Sequence, residues 1–153
     1  MTDYQRLDQF QLPPDFRGRS AFVVQLWWLV QATLFAWSPQ FLFGWRSFLL
    51  RLFGANIGRK VFLRPSVRVT YPWKLTIKDY AQIGDDVELY TLGEIQIGAH
   101  SVISQRCYLC TGSHDYTRPT FDIYTRPILI ADQVWLAGDV FVAPGVEIGE
   151  GAL

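Results

Sequence analysis

The sequence predicts a mainly β protein, a parallel β-helix of hexapeptide repeats with a helical segment at its amino end. Three observations carry this. Aliphatic residues recur every six positions: Ile57, Leu63, Val69; Ile77, Ile83, Leu89; Ile97, Ile103, Leu109; Ile130, Leu136, Val142, Ile148. A small or apolar residue usually follows four places on, as at Val61, Val67, Ala81, Val87, Ser101, Cys107, Val134 and Val140. The doublets Leu75/Ile77, Ile95/Ile97 and Ile128/Ile130 interrupt the beat at matching places. A period of six fits neither an amphipathic helix nor a stack of hairpins. It fits coils whose walls are short strands, stacked along one axis.

Composition allows one domain, or one domain plus an appendage. The chain has 153 residues, half of them hydrophobic and 16% aromatic, so a packed core is feasible. Lys and Arg number 14, as do Asp and Glu. No basic run points to nucleic acid, and none is expected as a partner.

Residues 1–54 read as a polar arm and apolar helices. Met1–Asp15 is polar and lacks the basic-then-apolar layout of a secretion signal, so the expected compartment is the cytoplasm. Ser20 to Trp45 carries no charge. A helix is predicted from Ala21 to Trp37, stopped by Ser38-Pro39, and a second from Gln40 to Leu52, closed near Gly54. A membrane span needs ~20 apolar residues. Gln25, Gln31 and Thr33 interrupt the run and Pro39 shortens it. Three readings stay open: the helices cap the β-helix or pack between subunits, which we place first; they lie in a membrane interface with Trp27, Trp28 and Trp37 at headgroup depth; or, last, they span.

Residues 55–153 read as the β-helix. The doublets lie 20 and then 33 residues apart, so a coil has three walls and about 20 residues, and one coil carries about 13 extra. The insertion falls between Leu109 and Ile128. Long loops on rigid scaffolds carry function. This one, 110–127, holds His114, one of two histidines. Imidazole is the usual group for taking a proton from a hydroxyl near neutral pH, and Asp115 could orient or charge-stabilise it. On residues alone, a solvated loop histidine is an equal reading.

Other signals take structural readings. Cys107 and Cys110 have the spacing of half a zinc site, but no second pair exists. Cys107 shares a column with Val67, Val87 and Val140, and Cys110 an outward position with Thr70 and Tyr90. No metal is expected. His100 is read as a solvated corner residue, and Asp85-Asp86 as turn chemistry.

The residues also resemble a known family. Ile57-Gly58, Arg64-Pro65-Ser66, Thr70-Tyr71-Pro72-Trp73, Ile83-Gly84-Asp85-Asp86-Val87, Leu89-Tyr90 and Ile103-Ser104-Gln105 match it. So do Cys110-Thr-Gly-Ser-His114-Asp115, Val134-Trp135-Leu136 and Phe141-Val142-Ala-Pro-Gly145-Val146. Together they are similar to the colanic acid biosynthesis acetyltransferases, within the hexapeptide-repeat acyltransferases. The resemblance implies a left-handed β-helix that forms a homotrimer with active sites between subunits. It implies acetyl transfer from acetyl-coenzyme A, as co-substrate, to a sugar hydroxyl of an exopolysaccharide precursor on a nucleotide or lipid carrier. His114 would be the general base and the Gly138 amide would stabilise the oxyanion. Trp135, Ala137 and Gly138 would border the coenzyme, and Tyr90, Asp115 and Tyr116 the acceptor. An N-acyltransferase on an amino sugar and a silent scaffold or membrane-docking module are the alternatives, with peripheral inner-membrane contact compatible with any of them.

The beat breaks off at Leu153 in mid-repeat. The resemblance implies a further coil and a basic, proline-containing tail that contact coenzyme A. With that coil missing, a chain ending at Leu153 is expected to have weak or no activity.

Overall fold

The computed structural model describes residues 4–153. The beat is realised strand by strand. The first coil comprises β1 (Asn56–Ile57), β2 (Phe62–Leu63) and β3 (Arg68–Val69). The second comprises β4 (Leu75–Ile77), β5 (Gln82–Ile83) and β6 (Glu88–Tyr90), and the third β7 (Ile95–Ile97), β8 (Val102–Ile103) and β9 (Tyr108–Cys110). A hairpin of β10 (Gly112–His114) and β11 (Ile123–Thr125) then leaves the prism. The fourth coil is β12 (Ile128–Ile130), β13 (Trp135–Leu136) and β14 (Phe141–Val142), and β15 (Glu147–Ile148) opens a fifth.

The strands stack into three parallel walls. On the first, Ile57, Ile77, Ile97, Ile130 and Ile148 are in register. Leu63, Ile83, Ile103 and Leu136 line the second. Val69, Leu89, Leu109 and Val142 line the third. These residues alternate with outward neighbours because strand side chains point to opposite faces, and most of them fill the core almost without exposure. At corners the coils nearly touch: a Cβ on Gly98 would sit 2.3 Å from the Ala131 carbonyl carbon, so no side chain fits there. Left-handed residues recur down one corner, at Lys60, Tyr80, His100 and Gln133. His100 is exposed there with its ring stacked on Tyr80.

The amino-terminal helices seal the open edge of the first coil. α1 (Ala21–Val30) runs into one π-helical turn, Gln31–Phe35, and α2 (Phe43–Leu52) follows. An unpaired strand edge exposes amide and carbonyl groups. Here side chains meet them on all three walls. On β3, Trp27 Nε1 donates to the Val69 carbonyl (2.8 Å) and the Val69 amide to Gln31 Oε1 (2.7 Å). On β2, Arg46 Nε donates to the Leu63 carbonyl (2.6 Å). On β1, Arg51 Nε donates to the Ile57 carbonyl (2.9 Å). Trp27, Phe35, Leu49 and Leu50 share the core with the wall residues, so the helices and coils form one packed unit. This is the capping reading. Among the described residues, no helix is long and apolar enough to cross a membrane.

Three local expectations change. The first helix ends before Trp37 and widens at Gln31, whose side chain turns to the β3 edge; such π turns often mark a functional contact. The second helix starts at Phe43, because the Pro39 and Gln40 carbonyls are held by Arg46. Cys110 pairs with Tyr90 in register, yet it is buried, with its thiol toward the Gly112 carbonyl at the hairpin base.

Candidate active site

The hairpin is the insertion that the 33-residue step announces. β10 and β11 pair antiparallel, with Gly112 opposite Thr125 and His114 opposite Ile123. Its base is fixed to the coil. Thr111 is buried, its hydroxyl donating to the Tyr90 carbonyl (2.6 Å) and accepting from the Gly93 amide (2.8 Å). A Cβ on Gly112 would lie 2.7 Å from Leu92 Cδ1, so glycine is what lets β10 lie against that corner. Ile123 packs on the cluster of Val24, Tyr71 and Leu92, which ties the hairpin to α1.

His114 is half-buried, and its orientation is set by the backbone. Nδ1 lies 2.8 Å from the Phe121 carbonyl oxygen. A carbonyl only accepts, so Nδ1 carries the proton and donates. In the neutral ring Nε2 then keeps its lone pair. The imidazole stacks flat on the Phe121 ring (centroids 4.2 Å, planes 9° apart), with Phe10 tilted against it at 5.9 Å. Phe121 sits in the left-handed region at φ 51°, which turns its carbonyl back toward the histidine. His114 lines an open cleft of about 430 Å³ with Asp115, Tyr116, Arg118, Tyr124 and Arg126 among its neighbours.

Asp115 does not hold the imidazole. Its Oδ1 accepts from the Thr117 amide (3.0 Å) and hydroxyl, and Arg118 bridges Asp115 and Asp122. The hydrogen bonds from Thr117 hold its carboxyl below the ordinary carboxylate range. The carboxylate shapes the turn, and the Phe121 carbonyl orients the ring. Nothing in the residue types announced Phe121, because the group that acts is its backbone.

The remaining predicted residues fall into a second group. Trp135 is half-exposed on the second wall, its Nε1 donating to Ser104 Oγ (2.9 Å). Ala137 and Gly138 turn the corner between the second and third walls. The Ala137 carbonyl accepts from the Cys107 thiol (3.0 Å), and a Cβ on Gly138 would press on Gln105 Nε2 at 2.7 Å. Tyr90 stands between the groups at the end of the third wall, edge-on to Tyr108, and burial pushes its hydroxyl pKa up. His114, by contrast, leaves the corner between the third and first walls. One chain therefore brings His114, Asp115 and Tyr116 to one cleft, and holds Trp135, Ala137 and Gly138 at a different edge. The two cysteine thiols face different carbonyls, and among the described residues no group of three or more His, Cys, Asp or Glu converges on a metal position.

No protein-family model matches the chain. Among curated proteins, it is 66% identical over 149 residues to the Escherichia coli K12 protein that carries the name colanic acid biosynthesis acetyltransferase WcaF, spanning 97% of this chain and 82% of that protein. The Shigella flexneri protein of the same name matches to the same extent. Among solved structures, a hexapeptide-repeat acetyltransferase from Vibrio cholerae O1 biovar eltor, complexed with acetyl-coenzyme A, superposes with a TM-score of 0.77 at 24% identity, over 99% of this chain and 82% of that one. A galactoside acetyltransferase in complex with coenzyme A gives 0.78 at 18% identity, over 99% and 76%.

Proposed function

The chain belongs to the colanic acid biosynthesis acetyltransferases, among the hexapeptide-repeat acetyltransferases, and on that premise we propose that it moves an acetyl group from acetyl-coenzyme A to a sugar hydroxyl of an exopolysaccharide precursor carried on a nucleotide or lipid. The observation that carries the chemistry is the Nδ1–H of His114 committed to the Phe121 carbonyl. Nε2 is left as an acceptor beside an open cleft, the state a general base requires.

The step balances without a covalent enzyme intermediate. Nε2 takes the proton of the acceptor hydroxyl as its oxygen attacks the thioester carbonyl. The tetrahedral oxyanion then collapses, the carbon–sulfur bond breaks, and the imidazolium returns its proton to the thiolate. Asp115, Tyr116 and Tyr90 would hold the sugar. The Gly138 amide would stabilise the oxyanion, with Trp135 and Ala137 along the coenzyme.

The two groups sit at different edges of one prism. We therefore place the complete site between copies in a cyclic homotrimer, where the His114 edge of one copy meets the Gly138 edge of the next. The reaction is assigned to the cytoplasm, in keeping with two unpaired cysteines.

The test is thiol release from acetyl-coenzyme A with fucose- and galactose-containing acceptors. His114→Ala should lower turnover about 10²–10⁴-fold with the melting temperature unchanged. Mixing His114→Ala with Gly138→Leu chains should restore roughly a quarter of the parent rate, because random trimers rebuild that share of intact interfaces. Turnover that survives in His114→Ala would sink the base assignment. Mixtures that stay inactive would sink the shared site. An intact fold with no transfer to any sugar, in this chain and in one extended by the further coil alike, would favour the scaffold reading.

A further inference from the structure

The outer face of the helical cap is apolar and nothing among the described residues covers it. Phe22, Leu29, Trp37, Phe41, Phe48 and Leu52 are all exposed, Trp37 at 86% and Phe41 at 76%. Isolated exposed apolar residues are ordinary, but this many large ones on two successive helices, with Trp45 stacked on Phe48, mark a docking surface. Leu34, Trp37, Leu42 and Trp45 border a groove of about 370 Å³ on it.

Several polar groups of this face are tied to carbonyls of the cap itself. Trp45 Nε1 donates to the Leu34 carbonyl (2.9 Å), and the Thr33 hydroxyl to the Leu29 carbonyl (2.7 Å). The buried Arg46 guanidinium binds Ser38 Oγ and the Pro39 and Gln40 carbonyls at 2.6–2.9 Å. The tip carrying Trp37 and Phe41 thus presents hydrocarbon outward with its neighbouring carbonyls satisfied. An apolar phase demands that of backbone groups.

Charge identifies the occupant. From Phe16 to Lys78 the chain holds ten Lys and Arg and no Asp or Glu; the rest holds four basic and 14 acidic residues. Arg59, Arg64, Arg68 and Lys78 meet carboxylates of later segments. Arg46 and Lys74 are spent on carbonyls. Arg51 is likewise spent on the Ile57 and Gly58 carbonyls, and Arg17, Arg19 and Lys60 have no acidic partner among the described residues. An uncharged aromatic face whose helices are preceded in the chain by Arg17 and Arg19 and followed by Lys60 suits lipid headgroups of negative charge. Two such caps face to face would repel.

We infer that the cap face of α1, the π turn and α2 docks on an anionic lipid surface, with Trp37 and Phe41 inserted at headgroup depth. The hairpin shares the Val24 cluster with α1, so docking would hold the His114 cleft at a fixed distance from the lipid.

The experiment is sedimentation of the full chain with vesicles of phosphatidylcholine alone, and with phosphatidylglycerol as about a third of the lipid. Partitioning should be at least tenfold stronger on the anionic vesicles and should weaken as salt is raised. Trp37→Ser with Phe41→Ser should lower it at least tenfold. Arg19→Glu with Lys60→Glu, at exposed positions that leave the core intact, should lower binding to anionic vesicles alone by at least tenfold. Absence of partitioning on anionic vesicles would overturn the inference. So would equal binding to both vesicle types, or binding indifferent to the Trp37 and Phe41 changes. Concentration-dependent self-association, lost in Trp37→Ser and seen without vesicle binding, would reassign the face to a second copy.

Discussion

The cap and the hairpin both interrupt the six-residue beat, and they do so in opposite ways. The cap brings distant side chains to backbone edges: Trp27 reaches 42 positions along the chain to Val69, and Arg46 reaches 17 to Leu63. Those contacts are buried. The hairpin is held mostly by its own neighbours, Asp115 with Thr117, Arg118 with Asp122, at exposed positions. Burial makes a lost contact expensive, because the abandoned partner cannot turn to water. The cap should therefore govern stability, and the hairpin should be free to serve chemistry.

The largest break in this comparison is Arg46→Ala. The side chain is fully buried and satisfies four acceptors on β2 and the interhelical loop. Removing it leaves the buried Leu63 carbonyl unpaired and opens a cavity. The expected cost is about 3–5 kcal/mol from the unpaired carbonyl and the cavity together, or a fall of roughly 10 °C in melting temperature. Thermal unfolding followed by circular dichroism measures it. A change of only a degree or two would mean the β2 edge is sealed by something other than Arg46.

Why the cap was harder to read than the coils follows from the same contacts. A wall residue announces itself because every coil repeats its environment, so Ile77 predicts Ile97. The step of 33 against 20 marks an insertion between Leu109 and Ile128 with His114 in it, but not its form, a hairpin rather than an irregular loop. Counting walls also places Gly138 after the second wall and His114 after the third, so their separation was in the spacing. Arg46 has no such echo. An arginine on a helix reads as a solvent-facing residue, and only the three-dimensional edge shows what it binds. The same holds for the Phe121 carbonyl, whose aim depends on one left-handed residue seven positions after the histidine.

Gly112→Ala tests the join between the two regions. The added Cβ would sit 2.7 Å from Leu92 Cδ1, the end of a buried side chain. Overpacking here should cost about 1–2 kcal/mol. It should also displace His114, two residues on, and misplacement of a reacting group near 1 Å is worth up to ~10² in rate. Turnover should fall far more than the melting temperature suggests. Equal, small losses in both would mean the hairpin re-seats without moving the imidazole.

The smallest effect is one of pH. Asp115 has its carboxyl pKa lowered, first by the Thr117 hydroxyl and then by the Thr117 amide and Arg118. A depressed carboxyl favours the folded hairpin above the ordinary carboxylate range, and that contribution is lost as pH falls through the lowered value. The ties of the cap are guanidinium, indole and amide groups on carbonyls, none of which changes charge in that window. Acid should therefore loosen the hairpin first. Amide hydrogen exchange at neutral pH and near pH 3, corrected for intrinsic rates, should show protection falling at Asp115 and Phe121, while Val69 at the first-coil edge stays protected. If Val69 loses protection first, the cap is not the region that governs stability, and the division of labour between the two breaks in the beat is reversed.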